Sequence, residues 1–323
     1  MDVVNLRDYE NLSPFEIKDE LIRLARMSDR ASTQTLLNAG RGNPNWVATR
    51  AREVFFLLGQ FAIAESTRVI ALPAGIGGMP RAPGISDRLD AWLADLAGTA
   101  VAEATRQLVR YACENFAFQP DAFVHELVDA IIGDNYPEPD RMLVHAEQVV
   151  HEYLARAMLG AARPAGRFDL FAVEGGTAAI CYIFRSLKAN GLLRPGDRIA
   201  LGTPIFTPYL EIPELADYGL EPVYVEAPEN NGFQFTDAEL AKLEDPRVKA
   251  FFLVNPGNPT SVAISPAVRS KITDLVRTKR PDLMLLTDDV YATFVDGFRS
   301  LLGDLPRNTI GVYSYSKYFG CTG

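Results

Sequence analysis

The sequence predicts an α/β protein, with a mainly parallel sheet flanked by helices and a helical region ahead of it. Three observations predict this. From Phe168 onward, short apolar runs alternate with helical patterns, the rhythm of strands joined by crossover helices. Up to about residue 165 the apolar residues read mostly at helical spacing. The glycine and proline clusters fall between these runs, where turns belong. The expected division is a helical region over 1–165 and an α/β domain over 166–323.

The elements follow in order. Ser13-Pro14-Phe15-Glu16 supplies an N-cap, a proline at the first helical position and an acidic residue two positions on. Ile17, Leu21, Ile22, Leu24 and Ala25 then mark one face of a helix over Glu16 to Met27. Further helices are expected at 47–71, 86–116, 120–132 and 141–160, separated by turn clusters at 40–45, 72–80 and 133–137. Expected strands are Leu170–Val173, Arg198–Leu201, Pro222–Val225, Ala250–Val254, Leu283–Thr287 and Thr309–Tyr313. Expected helices between them are Thr177–Asn190, Thr236–Leu243 and Pro266–Arg277.

Composition excludes several classes. Lys plus Arg is 32 against 41 Asp plus Glu, a net charge of −9, which argues against an electrostatic nucleic-acid binder. Apolar residues at 48% and charged residues at 23% are ordinary for a globular chain. Cys113, Cys181 and Cys321 are too few and too scattered for a disulfide framework. Met1 to Asp8 shows no basic run followed by an apolar one, so no secretory signal is read. Val54 to Ala64, the most apolar stretch, falls short of the roughly 20 residues a membrane span takes. A soluble cytoplasmic protein with neither nucleic-acid nor membrane partner is expected. His125, His145 and His151 form no close ligand pair and read as helix-surface residues, so no metal site is expected. No dinucleotide fingerprint and no P-loop occurs.

In a parallel sheet covered on both faces, ligands bind outside the carboxyl ends of the strands. Gly175-Gly176-Thr177 there offers bare N–H groups and close approach at a helix N-terminus, an anion cradle. The same turn also serves plain tight packing. The loop Thr203 to Tyr209 carries two rings, Phe206 and Tyr209, either fit to stack on a flat ligand or to sit in the core. Asn255-Pro256-Gly257-Asn258-Pro259-Thr260-Ser261 is a rigid turn with Asn255 at a strand tip, where its amide can meet a ring substituent. Asp288 ends an apolar strand, a costly place for a carboxylate without a cation, and Tyr291 follows three residues later. Lys317 stands among hydroxyls, aromatics and glycines, where an amine can form a Schiff base. Each feature has a bland structural reading. Taken together, in this order along one sheet, they are the parts that hold pyridoxal 5'-phosphate.

At four motifs the sequence resembles the fold-type I aminotransferases, over roughly residues 30 to 323. Residues 255–261 resemble N-P-x-N-P-T-G, with Ser261 in place of glycine. Asp288-Asp289-Val290-Tyr291 resembles D-E-x-Y, Ser314-Tyr315-Ser316-Lys317 resembles S-x-S-K, and Gly42-Asn43-Pro44-Asn45-Trp46 resembles an early substrate loop. The resemblance implies that Lys317 bonds the cofactor and shuttles the Cα proton. It implies that Asp288 pairs with the pyridinium nitrogen, and that Tyr291 and Asn255 contact the ring oxygen. Phe206 would stack on the ring, where Tyr or Trp is usual, and Gly175, Gly176, Thr177 and Ser314 would hold the phosphate.

Within that superfamily the chain is most similar to the bifunctional aspartate aminotransferase and L-aspartate 4-decarboxylase family. The residues that carry this are 38–46, the helical insert around 50–160, and Ser316 to Gly323. The resemblance implies conversion of L-aspartate to L-alanine and CO2, slower transamination with a 2-oxo acid, and a homodimer or higher homo-oligomer. Arg41, with Gly42 beside it, is a candidate for gripping a substrate carboxylate, a task suited to guanidinium; a plain surface-loop arginine fits that position equally. The family has an arginine soon after the lysine and another in its small domain, both past Gly323. The expectation is therefore a C-terminally truncated chain with an incomplete small domain, inactive or poorly folded alone. A plain aminotransferase is the alternative. A non-catalytic cofactor-binding regulator fits less well, because residues 1–40 show no basic cluster.

Overall fold

The computed structural model describes residues 14–31, 44, 46–73, 75–133, 141–160 and 168–321. The chain divides into two compact units. One comprises Trp46–Ala157 and Ala165–Ala172; the other comprises Met1–Asn45, Met158–Pro164 and Val173–Gly323.

The first half of the chain is helical: α1 (Pro14–Ala31), α2 (Thr49–Val69), α3 (Ile85–Ala94), α4 (Ala100–Phe116), α5 (Pro120–Ile132) and α6 (Val144–Leu159), with a short hairpin of β1 (Ala71–Leu72) and β2 (Ile76–Gly77) after α2. The helical unit is built on α2, whose Val54, Leu57, Leu58, Phe61 and Ala62 pack with Ile85, Leu89 and Leu93 of α3 and Val124 and Val128 of α5. These positions follow the 3.6-residue period, which is why one stripe of each helix is buried. Glu65 is the buried exception on α2, and the guanidinium groups of Arg68 and Arg88 meet its carboxylate at 2.9 and 2.8 Å.

The single helix expected over 86–116 is two helices. The chain turns through Gly98 at φ +85°, and Thr99 caps α4 by accepting from Ala102 N at 3.4 Å. A glycine in the left-handed region and a capping hydroxyl outweigh the continuous apolar period. The three histidines are half-buried packing residues instead of surface ones. His145 Nδ1 lies 2.7 Å from Glu126 Oε2 with its ring against Phe118 and Phe123, His125 Nε2 lies 3.2 Å from Pro80 O, and His151 stacks on Phe168 at 4.0 Å. Among the described residues no group of three or more His, Cys, Asp or Glu could hold a metal ion. No described helix is long and apolar enough to cross a membrane.

The second half alternates as expected: α7 (Gly176–Ala189), β3 (Arg198–Thr203), α8 (Pro208–Glu211), β4 (Glu221–Glu226), α9 (Asp237–Leu240), β5 (Val248–Val254), α10 (Pro266–Thr278), β6 (Met284–Asp288), α11 (Leu301–Asp304), β7 (Thr309–Val312) and α12 (Tyr315–Tyr318). The last five strands form one sheet in the order β4-β3-β5-β6-β7, every neighbouring pair parallel. Adjacent residues of a strand face opposite sides. Phe251 of β5 accordingly enters a core with Phe235, Leu243, Ile272 and Leu285, while Phe252 enters another with Phe184, Leu201, Tyr209 and Leu286. Both faces are therefore covered, which explains the nearly unbroken apolar run of Ala250 to Val254. Arg280 pins the opposite, amino end of the sheet, its buried guanidinium donating to Leu243 O and Val248 O at 2.7 Å each.

One expected strand is absent. Residues 170–173 form no strand, and Phe171 is 75% exposed with Arg141 set over its ring at 5.5 Å. No described strand pairs with this run.

Candidate active site

Parallel pairing sets three strand tips level. Val254 of β5 pairs with Asp288 of β6, and Asp288 pairs with Val312 of β7. The residues that follow are stitched across: Asn255 N donates to Asp288 O and Asp289 N donates to Val312 O, each at 2.8 Å. Three motifs separated in sequence thus open from one edge.

Asp288 is the centre of this edge. Its carboxylate is 5% exposed and accepts from Val290 N at Oδ1 and from Tyr209 Oη at Oδ2, both at 3.2 Å. These donors favour the charged form, yet burial outweighs them and pushes the carboxyl up to about 6. Asp289 beside it is fully buried. Thr287 Oγ1 donates to its Oδ1 at 2.5 Å, and burial together with the neighbouring Asp288 charge raises it to about 7, against the opposing pull of the Ser300 and Thr287 hydroxyls.

The two rings of the loop after β3 divide their tasks. Tyr209 is wholly buried and turned to Asp288, while Phe206, one turn earlier, is half-buried and packs against the same core cluster. Asn255 is buried, and its Oδ1 accepts from Ile264 N at 3.0 Å, closing the loop on itself. Any contact of this side chain with a ring oxygen therefore falls to Nδ2. Ser261 in the same loop has φ +59°, a left-handed conformation that favours glycine, which is the residue of the resembled motif. Tyr291 is half-buried, and burial followed by the Asp288 charge raises its phenol above the ordinary value.

The glycines expected to form an anion cradle stand at the start of α7. Gly175 precedes α7, whose first amides at Gly176 and Thr177 have no acceptor within the helix. A Cβ placed on Gly176 would lie 3.8 Å from Val290 Cγ2, so this N-terminus stands beside the residue that donates to Asp288. After β7, Ser314 starts α12 by accepting from Ser316 N at 3.1 Å, and its hydroxyl donates to Ser316 Oγ at 3.0 Å. Lys317 lies in that short helix, half-buried, five residues past the strand position paired with Asp288. Arg41 and Gly42 lie outside the described residues.

The structure gives two residues a contact that the sequence does not indicate: Tyr209, which bonds Asp288, and Asp289, buried beside it. Tyr209 was legible only as an aromatic after a proline; its three-residue step from Phe206 is the signal that both belong to one turn. Asp289 was legible only as the second letter of its motif. The set fits pyridoxal phosphate: a buried carboxylate for a cationic ring nitrogen, a half-buried ring, a helix N-terminus for phosphate and an amine, around one sheet edge.

Residues 167–323 match the family of aminotransferase class I and II. The bifunctional aspartate aminotransferase and L-aspartate beta-decarboxylase of Pseudomonas sp is 50% identical over 318 residues, which is 98% of this chain and 59% of that protein. An aspartate aminotransferase of Rhizobium meliloti is 30% identical over 162 residues, 48% of this chain and 38% of that one. The chain thus spans well under two thirds of either relative. The crystal structure of the aspartate aminotransferase from Rhizobium meliloti aligns with a TM-score of 0.56 at 19% identity, covering 98% of this chain and 59% of that one, a likeness of fold. The fold is the type I aminotransferase fold expected from the sequence, and residues 167–323 are similar to the class I and II aminotransferase family.

Proposed function

We propose that the protein is a pyridoxal-phosphate enzyme that converts L-aspartate to L-alanine and CO2, with aspartate aminotransferase as its side activity. One observation carries the chemistry: Asp288 is buried at a strand tip level with Val312, two residues before the Ser314–Lys317 segment. The choice of reaction rests on the 50% identity to the Pseudomonas relative, whose name states both activities. The reading includes a helical region over 1–165, a cofactor-binding domain over 166–323, a cytoplasmic location and a homo-oligomer.

When bound, pyridoxal phosphate supplies an electron sink for bonds broken at the substrate Cα and Cβ. Lys317 Nζ would hold the cofactor covalently and, once the substrate amine has displaced it, would take and return the proton at Cα. Asp288 keeps positive charge on the ring nitrogen. Gly175, Gly176, Thr177 and Ser314 bind the phosphate through amides and hydroxyls. Phe206 covers a ring face, and Asn255 and Tyr291 donate to the ring oxygen. Arg41, with Gly42, orients a substrate carboxylate.

The test is to supply pyridoxal phosphate and L-aspartate without any 2-oxo acid and to follow alanine and CO2. Sustained alanine formation, abolished in Lys317→Ala, supports the decarboxylase. No CO2, with glutamate appearing once 2-oxoglutarate is added, makes the protein an aminotransferase, the reading that the likeness to the Rhizobium meliloti relative favours.

A further inference from the structure

The hydroxyl of Tyr209 is held against Asp288 by the core itself. The Tyr209 ring is wholly buried, 6.1 Å from Phe252, which in turn stacks on Phe184 at 4.9 Å and 5°. Its backbone amide donates to Phe206 O at 3.0 Å. With the ring fixed at both ends, the phenol reaches Asp288 Oδ2 at 3.2 Å, while Val290 N reaches Oδ1. Each carboxylate oxygen has one neutral donor, so the plane of the carboxylate is set before anything binds. A packing role alone needs no hydroxyl here, and burying one without an acceptor is unfavourable.

We propose that Tyr209 is a positioning residue that acts through Asp288 to keep the ring nitrogen of a pyridine cofactor protonated. The inference rests on the cofactor assignment made above. A proton shared between the ring nitrogen and Asp288 goes to the stronger base. An O–H donor stabilises the charged carboxylate and so weakens it as a base. The proton then stays on nitrogen, where it strengthens the pull on electrons from the substrate. Burial, which already raises Asp288, works the other way, and Tyr209 opposes it. Burial and the Asp288 charge keep the phenol protonated far above its ordinary range, so it acts as a donor throughout. The other titratable groups acting on the pair are Asp289, next along the chain, and Tyr291.

The experiment is a pH titration, by nitrogen NMR, of holoenzyme loaded with pyridoxal phosphate labelled at the ring nitrogen, comparing wild type with Tyr209→Phe. The ring nitrogen of the variant is expected to lose its proton at lower pH. Its cofactor dissociation constant should rise about tenfold, the effect of one hydrogen bond to a charged group. An unchanged nitrogen titration overturns the proposal even when affinity falls, because affinity alone can be lost through packing. Where Tyr209→Phe does not fold, fluorotyrosine at 209 keeps the ring and strengthens the donor. It should move the nitrogen titration to higher pH, and no movement overturns the proposal. Wild-type protein that takes up no pyridoxal phosphate overturns the cofactor assignment and this inference with it, a failure visible before any variant is made.

Discussion

The amide of Asn255 donates to the carbonyl of Asp288 at 2.8 Å, joining two motifs 33 residues apart in the chain at the moment each leaves its strand. The same asparagine uses Oδ1 to hold Ile264 N, so one buried residue closes its own loop and ties it to the Asp288 backbone.

Asn255→Ala leaves the Ile264 amide without its acceptor in a half-buried loop. The expected cost is about 1–3 kcal/mol in urea unfolding. Asn255→Asp keeps the acceptor but adds a buried carboxyl near Asp288, so it should recover most of that loss only at low pH, where the carboxyl is neutral, and the two variants are compared there. Equal losses in the two variants would show that the loop does not depend on this bond.

Ser261 occupies a left-handed backbone position at φ +59°, exposed at the surface. Relief of that strain is worth roughly 1 kcal/mol, part of it returned as glycine's extra freedom when unfolded. Ser261→Gly is therefore expected to be neutral to stabilising, a rare outcome for a glycine substitution. A clear loss of stability would contradict the backbone geometry.

Gly202 is the last residue but one of β3, where an added Cβ would come within 2.8 Å of Phe235 Cζ and 3.2 Å of Phe251 Cε2. Gly202→Ala should cost about 1–3 kcal/mol through overpacking. Phe235→Leu in the same chain should return part of that loss, since it removes the closer ring. Additive losses in the double variant would place the clash elsewhere.

Asp289 and Asp288 are lifted by burial to about 7 and about 6. In the unfolded chain both titrate near the ordinary carboxyl value. The folded, cofactor-free protein therefore binds more protons than the unfolded one between about pH 4 and pH 7, and loses stability as pH rises through that window. Asp289→Asn keeps an acceptor for Thr287, removes one buried charge and is expected to flatten the profile, gaining at least about 1 kcal/mol near pH 8. Chemical unfolding of the cofactor-free protein at about pH 5 and pH 8 checks it. A profile as steep as wild type would mean that Asp289 is not ionised by folding-sensitive burial.

Much of the α/β unit was legible because its signals are local. Alternating apolar runs and helical periods placed β3 to β7, α7 and α10 within a few residues, and strand-end motifs marked Asp288, Lys317 and Asn255 before any packing was known. The errors have one character. The run 86–116 has an unbroken apolar period, yet a left-handed Gly98 and the Thr99 cap divide it. Residues 170–173 have strand composition but no partner among the described residues, and Phe171 is exposed. Periodicity reports which residues could be buried, not whether a neighbour is present to bury them.

By itself the sequence determined the order of most strands and helices, the motifs at the strand ends, the acidic balance of the chain and the family that its second half resembles. These depend on residue type and spacing along the backbone. Only the tertiary structure decided that Val254, Asp288 and Val312 stand level, that Tyr209 and not Phe206 meets the carboxylate, and that Asp289 lies wholly buried beside it. The reason is physical. Register between parallel strands is set by crossover connections and by what both sheet faces bury. A buried donor such as the Tyr209 phenol finds its acceptor 79 residues away, where no local pattern points to it.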